Sequence, residues 1–396
     1  MLASVLVLGV GCADPGQDQI DDVSAGGAKT PPPTTIRPPA RACLGVAPSG
    51  RQIFANLLEA GTDQITDVAT DVRDNVLLAL PDFGLTKATG QGTSIFTRDF
   101  GALVATDATG NIYVSGMFDR VRDFGLGEMI PHGDGHAYLV KLDAHGTTLW
   151  AREVPPCGTL RMRGMAVDAT NRIALSAEGM GTEVFDPDGE LLFASPLVGA
   201  LAFDAAGDLL IAGTTTDLHA FVAELDAGGA TRWQHTFGGG DHQIATAVAV
   251  DRAGNIAVVG DFATSIDVFG DLYVVGECSE CDMHGAFTVV LAPNGDLRWG
   301  VRFPFAQRIA DVAFDPLGNV LVSTDETASQ EPFRTPTLYK LDKAGNFIWG
   351  HTNALNGYGY SHGLATDSCG NTFWDVTIRD NSIDHVRSTY LEKVAL

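Results

Sequence analysis

Basic residues are scarce in this chain of 396: Lys and Arg number 25 against 49 Asp and Glu, for a formal charge of −24. A phosphate backbone or an anionic membrane surface would be repelled, which argues against nucleic-acid binding. No stretch of ten or more residues carries a 3.6-residue apolar period, so helices are not expected. Gly-x-Ser-x-Gly, His-Glu-x-x-His and a phosphate-cradling glycine loop are all missing, so no nucleophile, zinc pair or nucleotide site stands out. Carboxylates abound, but most sit in repeated slots or turns; no catalytic residue and no cofactor is assigned. What the chain does have is 45% apolar residues and 46 glycines with only 19% charged residues. That balance fits many short strands joined by tight turns.

The length exceeds what one hydrophobic core supports, so the chain holds either several domains or a repeat array. Residues 1–12, "MLASVLVLGVGC", are apolar and too short to span a bilayer. They resemble the end of a bacterial lipoprotein signal, with Cys12 as the lipid-attachment residue; an ordinary secretory signal is the alternative. Residues 13–45 are rich in Pro, Gly, Asp and Thr with few large apolar side chains. Such a segment cannot offset its ordering entropy and reads as a disordered tether.

From there on one phrase recurs seven times, as in "VATDATGNIYVSG" (104–116) and "VAVDRAGNIAVVG" (248–260). An alternating strand ends at Asp71, Asp107, Asp168, Asp204, Asp251, Asp315 or Asp367. Three residues later stands Asp74, Gly110, Asn171, Gly207, Gly254, Gly318 or Gly370, all types that tolerate positive φ. A second apolar strand follows, so the phrase predicts a hairpin whose aspartate bonds the turn backbone.

A second phrase alternates with the first, as in "AYLVKLDAHGTTLWARE" (137–153). Its glycine is followed four residues later by an aromatic: Gly92 and Phe96, Gly146 and Trp150, Gly189 and Phe193, Gly229 and Trp233, Gly295 and Trp299, Gly345 and Trp349. The seventh copy is divided between the chain ends, with "TYLEKVAL" (389–396) supplying one strand and "APSGRQIFA" (47–55) the turn and return strand, including Gly50 and Phe54. Two hairpins in each of seven repeats predict an all-β, seven-bladed β-propeller over 46–396 with four antiparallel strands per blade. Its ring closes by pairing an N-terminal strand with the C-terminal strand in the last blade, and the aromatics pack within and between blades.

"DATGNIYVSGMF", "DFGLG" and "GHAYLVKLDAHG" resemble the bacterial β-propeller repeat family often called SBBP, common in secreted and surface proteins. The resemblance covers 47–396 and implies a propeller without an assigned activity. The second phrase, with "KLDAHGTTLW" and "KLDKAGNFIW", is also similar to the repeat of quinoprotein dehydrogenases. That similarity keeps a propeller enzyme, quinoprotein-like or a seven-bladed lyase or hydrolase, as one alternative; an envelope assembly factor is another.

Consecutive turn aspartates are 36 residues apart at the shortest, and longer spacings mark inserted loops. The insertions at 118–136, 262–285 and 325–336 and the inter-blade connections should decorate one face over the channel mouth. Candidate ligand-binding residues on that face are Arg161, Arg163, Asp241, His242, Tyr358, Tyr360 and His362. His132, Asp134 and His136 in "HGDGH" form a candidate metal half-site, although a histidine also occupies the slot before the third strand at His219, with a close variant at His284, which favours scaffold. In an oxidising compartment Cys278 with Cys281, and Cys43 with Cys369, are the candidate disulfides, and Cys157 is left over. The expected function is therefore that of a non-enzymatic bacterial envelope lipoprotein or secreted scaffold. It would be a monomer, meet the membrane only through its lipid, and bind a protein or carbohydrate through one face.

Overall fold

The computed structural model describes residues 52–61, 65–80, 84–132, 136–155, 160–239, 242–274, 284–303, 306–327, 334–353, 358–379 and 387–395. Strands make up all the regular structure among them, and no helix is present. Blade 1 is the meander Asp67–Thr70, Val76–Leu80, Gly84–Ala88 and Ser94–Arg98. Blades 2 to 6 follow over 103–154, 161–195, 199–239, 243–303 and 306–352, each with the same antiparallel order. In blade 7 two short strands, Tyr358–Tyr360 and Leu364–Thr366, pair with Thr372–Arg379, which pairs with Arg387–Val394. The outermost strand of that blade is Gln52–Gly61 from the other end of the chain, in antiparallel register with Arg387–Val394. First strands touch first strands in cyclic order, blade 7 meeting blade 1, so the seven-bladed ring is closed.

The burial pattern explains why the sequence reads as it does. Each sheet is packed between two others, so its middle strands are buried on both faces and need apolar side chains at successive positions. Val76–Leu80 is buried along its whole length, and Ile112, Tyr113 and Val114 have no exposure. Each such Val, Leu or Ile contributes on the order of 1.5–3 kcal/mol by leaving water. Outer strands such as Leu191–Ser195 expose most of their residues, in keeping with their place at the rim.

The turn aspartates hold the blades' first hairpins together. Asp107 is buried, and its Oδ1 accepts the backbone N–H of Thr109 and of Asn111, both at 2.9 Å. Asn111 Nδ2 donates to its other oxygen at 2.8 Å, while Gly110 turns the chain at φ 90°. The same pair of backbone bonds, from residues two and four positions on, recurs at Asp71, Asp168, Asp204, Asp251, Asp315 and Asp367. Burial alone would raise the pKa of Asp107, but the hydrogen bonds from Thr109 and Asn111 outweigh it and hold the carboxyl below its usual value.

The aromatics of the second phrase pack on the next blade. A Cβ at Gly146 would stand 2.9 Å from the Phe96 ring, and Trp150, Phe193, Trp233 and Trp299 lie in the same way against Gly189, Gly229, Gly295 and Gly345. Glycine is required there twice over, for positive φ and to admit the ring.

Candidate functional site

The first strands surround a cavity of about 160 Å³ on the ring axis, lined by residues from all seven blades. One register position, four residues before each turn aspartate, faces it from blades 1 to 6. Blades 2, 3, 4 and 5 place Leu103, Gly164, Ala200 and Ala247 there; blades 1 and 6 place Asp67 and Asp311. At this register the lining is thus apolar or small along one arc and acidic along the other.

Each of the two aspartates joins neighbouring blades. Asp67 accepts the backbone N–H of Val68 at 2.9 Å and that of Val104, in blade 2, at 2.9 Å. Asp311 does the same with Val312 at 2.8 Å and with Leu364, in blade 7, at 2.9 Å. Between them in the ring, Asp375 of blade 7 is fully buried. Its Oδ1 accepts the N–H groups of His362 and Gly363 at 2.9 and 2.6 Å, and His362 Nδ1 lies 3.3 Å from its Oδ2. Burial pushes the Asp67 carboxyl up to about 7; the Val104 N–H opposes this, and the charges of Asp311 and Asp375 add to it. Asp311 is likewise pushed up to about 7 by burial and by Asp375, against the N–H groups of Leu364 and Val312.

A second polar layer stands beside this one in blades 5, 6 and 7. Arg308 Nη1 is 3.1 Å from Asp325 Oδ2 and donates to the Ser361 carbonyl at 3.2 Å, while the Ser361 N–H reaches Asp325 Oδ1 at 3.1 Å. Ile309 donates to Asp261 Oδ1 at 2.7 Å. Asp325 is raised by burial, with Arg308, Ser361 and His362 opposing.

Of the candidate ligand residues, the structure brings two to the cavity. Arg163, on the first strand of blade 3, lines it and pairs with Glu178; His362 lines it from blade 7. Arg161 and His242 are exposed at the start of their blades' first strands, and Tyr360 is half-buried. Asp241 and the side chain of Tyr358 lie outside the described residues, as do Cys12, Cys43, Cys157, Cys278, Cys281 and segments 1–12 and 13–45. Cys369 is disulfide-bonded, and its partner is not among the described residues.

The histidines of "HGDGH" turn to a glutamate. His132 Nδ1 is 2.6 Å from Glu153 Oε2 and buried His136 Nδ1 is 2.5 Å from Oε1. Asp134 lies outside the described residues, and no metal-capable group of three appears among them. His219 instead bonds Gln243 at 2.7 Å.

The inserted loops depart from expectation. The blade 5 insertion forms the hairpin Ser265–Val268 and Asp271–Val274, which adds to the outermost strand of blade 4, with Gly238 opposite Asp267. It reaches the outermost strand of blade 5 as well, where Arg302 donates to the Val274 carbonyl. The blade 2 insertion forms a small hairpin, Arg122–Asp123 with Glu128–Met129, and drops Phe124 among Phe100, Phe118 and Tyr138. Both hairpins pack over seams between blades rather than over the axis, because each carries apolar residues that a neighbouring blade can cover: Ile266 and Val268 in one, Phe124 in the other.

Asp67, Asp311 and Asp375 escaped the sequence reading because each is a single residue inside a strand. The available signal was an acidic residue at a register that other blades fill with small or apolar ones.

No protein-family model and no curated protein matches the chain. The WD40 domain of Pan2 from Neurospora crassa is similar in structure with a TM-score of 0.52, at 12% identity over 87% of this chain and 96% of that one. A Bacteroides caccae protein of unknown function gives 0.41 at 15% identity, covering 60% and 78%. BamB from Moraxella catarrhalis gives 0.40 at 12% identity, covering 86% and 99%. At these identities the likeness is one of fold.

Proposed function

We propose that the chain is a non-enzymatic binding scaffold of the bacterial cell envelope, exported and lipid-anchored through Cys12, that receives a protein or carbohydrate at the mouth of its axial channel. The observation that carries this reading is the axial cavity, a concave site built from every blade with its carboxylates along one arc only. A rotationally uniform ring would offer no preferred orientation to a partner; the arc formed by blades 6, 7 and 1 does. The apolar run ending at Cys12 supports export and anchoring.

The test is affinity capture from a detergent-solubilised envelope. Arg161→Glu with His242→Glu, at the exposed strand starts on the mouth side, should reduce recovery of a discrete partner. Val72→Arg with Leu317→Arg, exposed on the turns at the opposite end, should leave it unchanged. Equal recovery with both variants would overturn the reading.

One observation favours acid–base chemistry as a second reading, namely two cavity carboxyls poised near neutrality. Each is tied to the backbone of two strands, which suits a fixed binding wall better than a group that must shuttle protons.

A further inference from the structure

Away from the axis, the inserted hairpin of blade 5 frames a second hollow, of about 320 Å³, against the outermost strand of blade 4. That strand pairs with the hairpin only at Gly238 and Gly239; among the described residues no strand takes up the edge of 235–237 on the same side. His235, Phe237, Asp267 and Phe269 line the hollow together with this open stretch of backbone.

The turn over the hollow breaks a local rule. Phe269 and Gly270 form the two-residue loop between Val268 and Asp271, at φ 55° and 94°. Positive φ at both positions makes a type I′ hairpin, which favours Asn-Gly, so a phenylalanine there is strained. Burial does not explain the choice, because Phe269 is 42% exposed. Its ring centroid lies 4.8 Å from that of His235 and 5.9 Å from that of the buried Phe237.

The polar groups beside this ring are uncommitted. His235 stands six residues after its turn glycine, the place of Arg98 and Arg152 in blades 1 and 2. Those arginines donate to carbonyls of the next blade, whereas half-buried His235 has no hydrogen-bond partner among the described residues. Asp267 Oδ1 accepts the N–H of Gly270 at 2.7 Å, and its Oδ2 has no partner among them.

We propose that this hollow binds one pyranose ring of a neutral glycan, stacked on Phe269 and hydrogen-bonded by Asp267 and His235. The site is separate from the axial mouth and goes beyond the scaffold reading. A pyranose carries a face of weakly positive C–H groups, which suits the negative face of an aromatic ring, and a rim of hydroxyls that both donate and accept. The free carboxylate oxygen accepts from such a hydroxyl, and the imidazole offers one donor and one acceptor. The volume is about ten waters' share of the liquid, the scale of one sugar ring. Asp267 and the formal charge of −24 select against acidic sugars. A partner's aromatic side chain would cover Phe269 but leave Asp267 and His235 unanswered.

Saturation-transfer NMR on the full chain tests this with the methyl glycosides of glucose, galactose, mannose and N-acetylglucosamine, with glucuronic acid as a charged sugar and N-acetyltyrosinamide as an aromatic probe. At least one neutral glycoside should bind, and glucuronic acid should bind at least about tenfold more weakly. Phe269→Asn supplies the residue that the turn favours, so it should keep or raise the melting temperature while weakening the sugar at least about tenfold. Phe269→Trp should retain binding. Asp267→Asn keeps an acceptor for Gly270 and should weaken the sugar without unfolding the hairpin. No binding of any neutral glycoside by folded protein, unchanged affinity in Phe269→Asn, or binding of N-acetyltyrosinamide in place of the sugars would each overturn the proposal. Neither Arg161 nor His242 lines this hollow, so partner capture at the mouth is read separately and can persist where the sugars fail.

Discussion

Replacing Asp107 by alanine should cost about 2–3 kcal/mol of stability, because it leaves the N–H groups of Thr109 and Asn111 without their acceptor at a buried turn. Thermal and urea unfolding measure this, and ligand capture should be unchanged; normal stability with lost capture would contradict it. Lys340 offers a sharper case. Its Nζ lies 2.8 Å from Asp315 Oδ2, and neither side chain has any exposure. Lys340→Ala strands a buried carboxylate and should cost about 3–5 kcal/mol, whereas Lys340→Ala with Asp315→Asn should recover part of the loss. Recovery is read from the denaturation midpoints of the single and double variants. Asp315 and Asp67 lie close along their respective strands, yet their environments move them in opposite directions. Burial is the largest influence on both; at Asp315 it is overcome by Lys340 and Asn319, which hold the pKa low, and at Asp67 nothing cationic compensates.

At the scale of elements, the hairpin Ser265–Val268 and Asp271–Val274 converts an exposed sheet edge into a joint. It pairs with Thr231–Gly239 of blade 4, and Tyr273 packs so near Gly300 of blade 5 that a Cβ there would meet its hydroxyl at 2.6 Å. Replacing residues 265–274 with a short Gly-Ser turn should speed amide hydrogen exchange along the outer strands of blades 4 and 5 and leave the inner strands of blades 1 and 7 protected. Uniform exchange across all blades would argue against a local joint. The hairpin's place could not be read from the sequence. Its own strands are local, but its docking depends on Gly238 meeting Asp267, a register set by tertiary packing. The blades themselves were legible because an Asx turn needs only an aspartate, a residue tolerant of positive φ and flanking apolar runs, all within a few positions.

For the whole molecule, three carboxyls raised by burial make an unusual pH profile. Asp67, Asp311 and Glu183 are each pushed by burial up to about 7, above the ordinary carboxylate values of the unfolded chain. The folded form therefore binds more protons than the unfolded form between about pH 4 and 7, and these groups add stability as pH falls through that window. Asp71, Asp107, Asp168 and Asp315, shifted downward, lose their contribution only at more acidic pH. Scanning calorimetry should find a higher melting temperature near pH 5.5 than near pH 8.5, and Asp67→Asn with Asp311→Asn should flatten the difference. A profile that rises toward pH 8.5 would contradict it. The site was less legible than the ring because its asymmetry comes from two substitutions in otherwise repetitive strands, and sequence spacing alone does not show that positions 67, 311 and 375 share one arc.

The mixed composition of blade 7 also constrains the order of events during synthesis. Gln52–Gly61 is made before any complete blade, yet its partner Arg387–Val394 follows every other described strand, with Gln52 opposite Val394. Gln52–Gly61 must wait for this partner until the blades between them have been made, and the ring gains its seventh seam in a single late step that closes a very long loop. A ribosome that stops short of Arg387 leaves two open sheet edges, so truncated chains should recruit chaperones or aggregate rather than persist as a six-bladed ring.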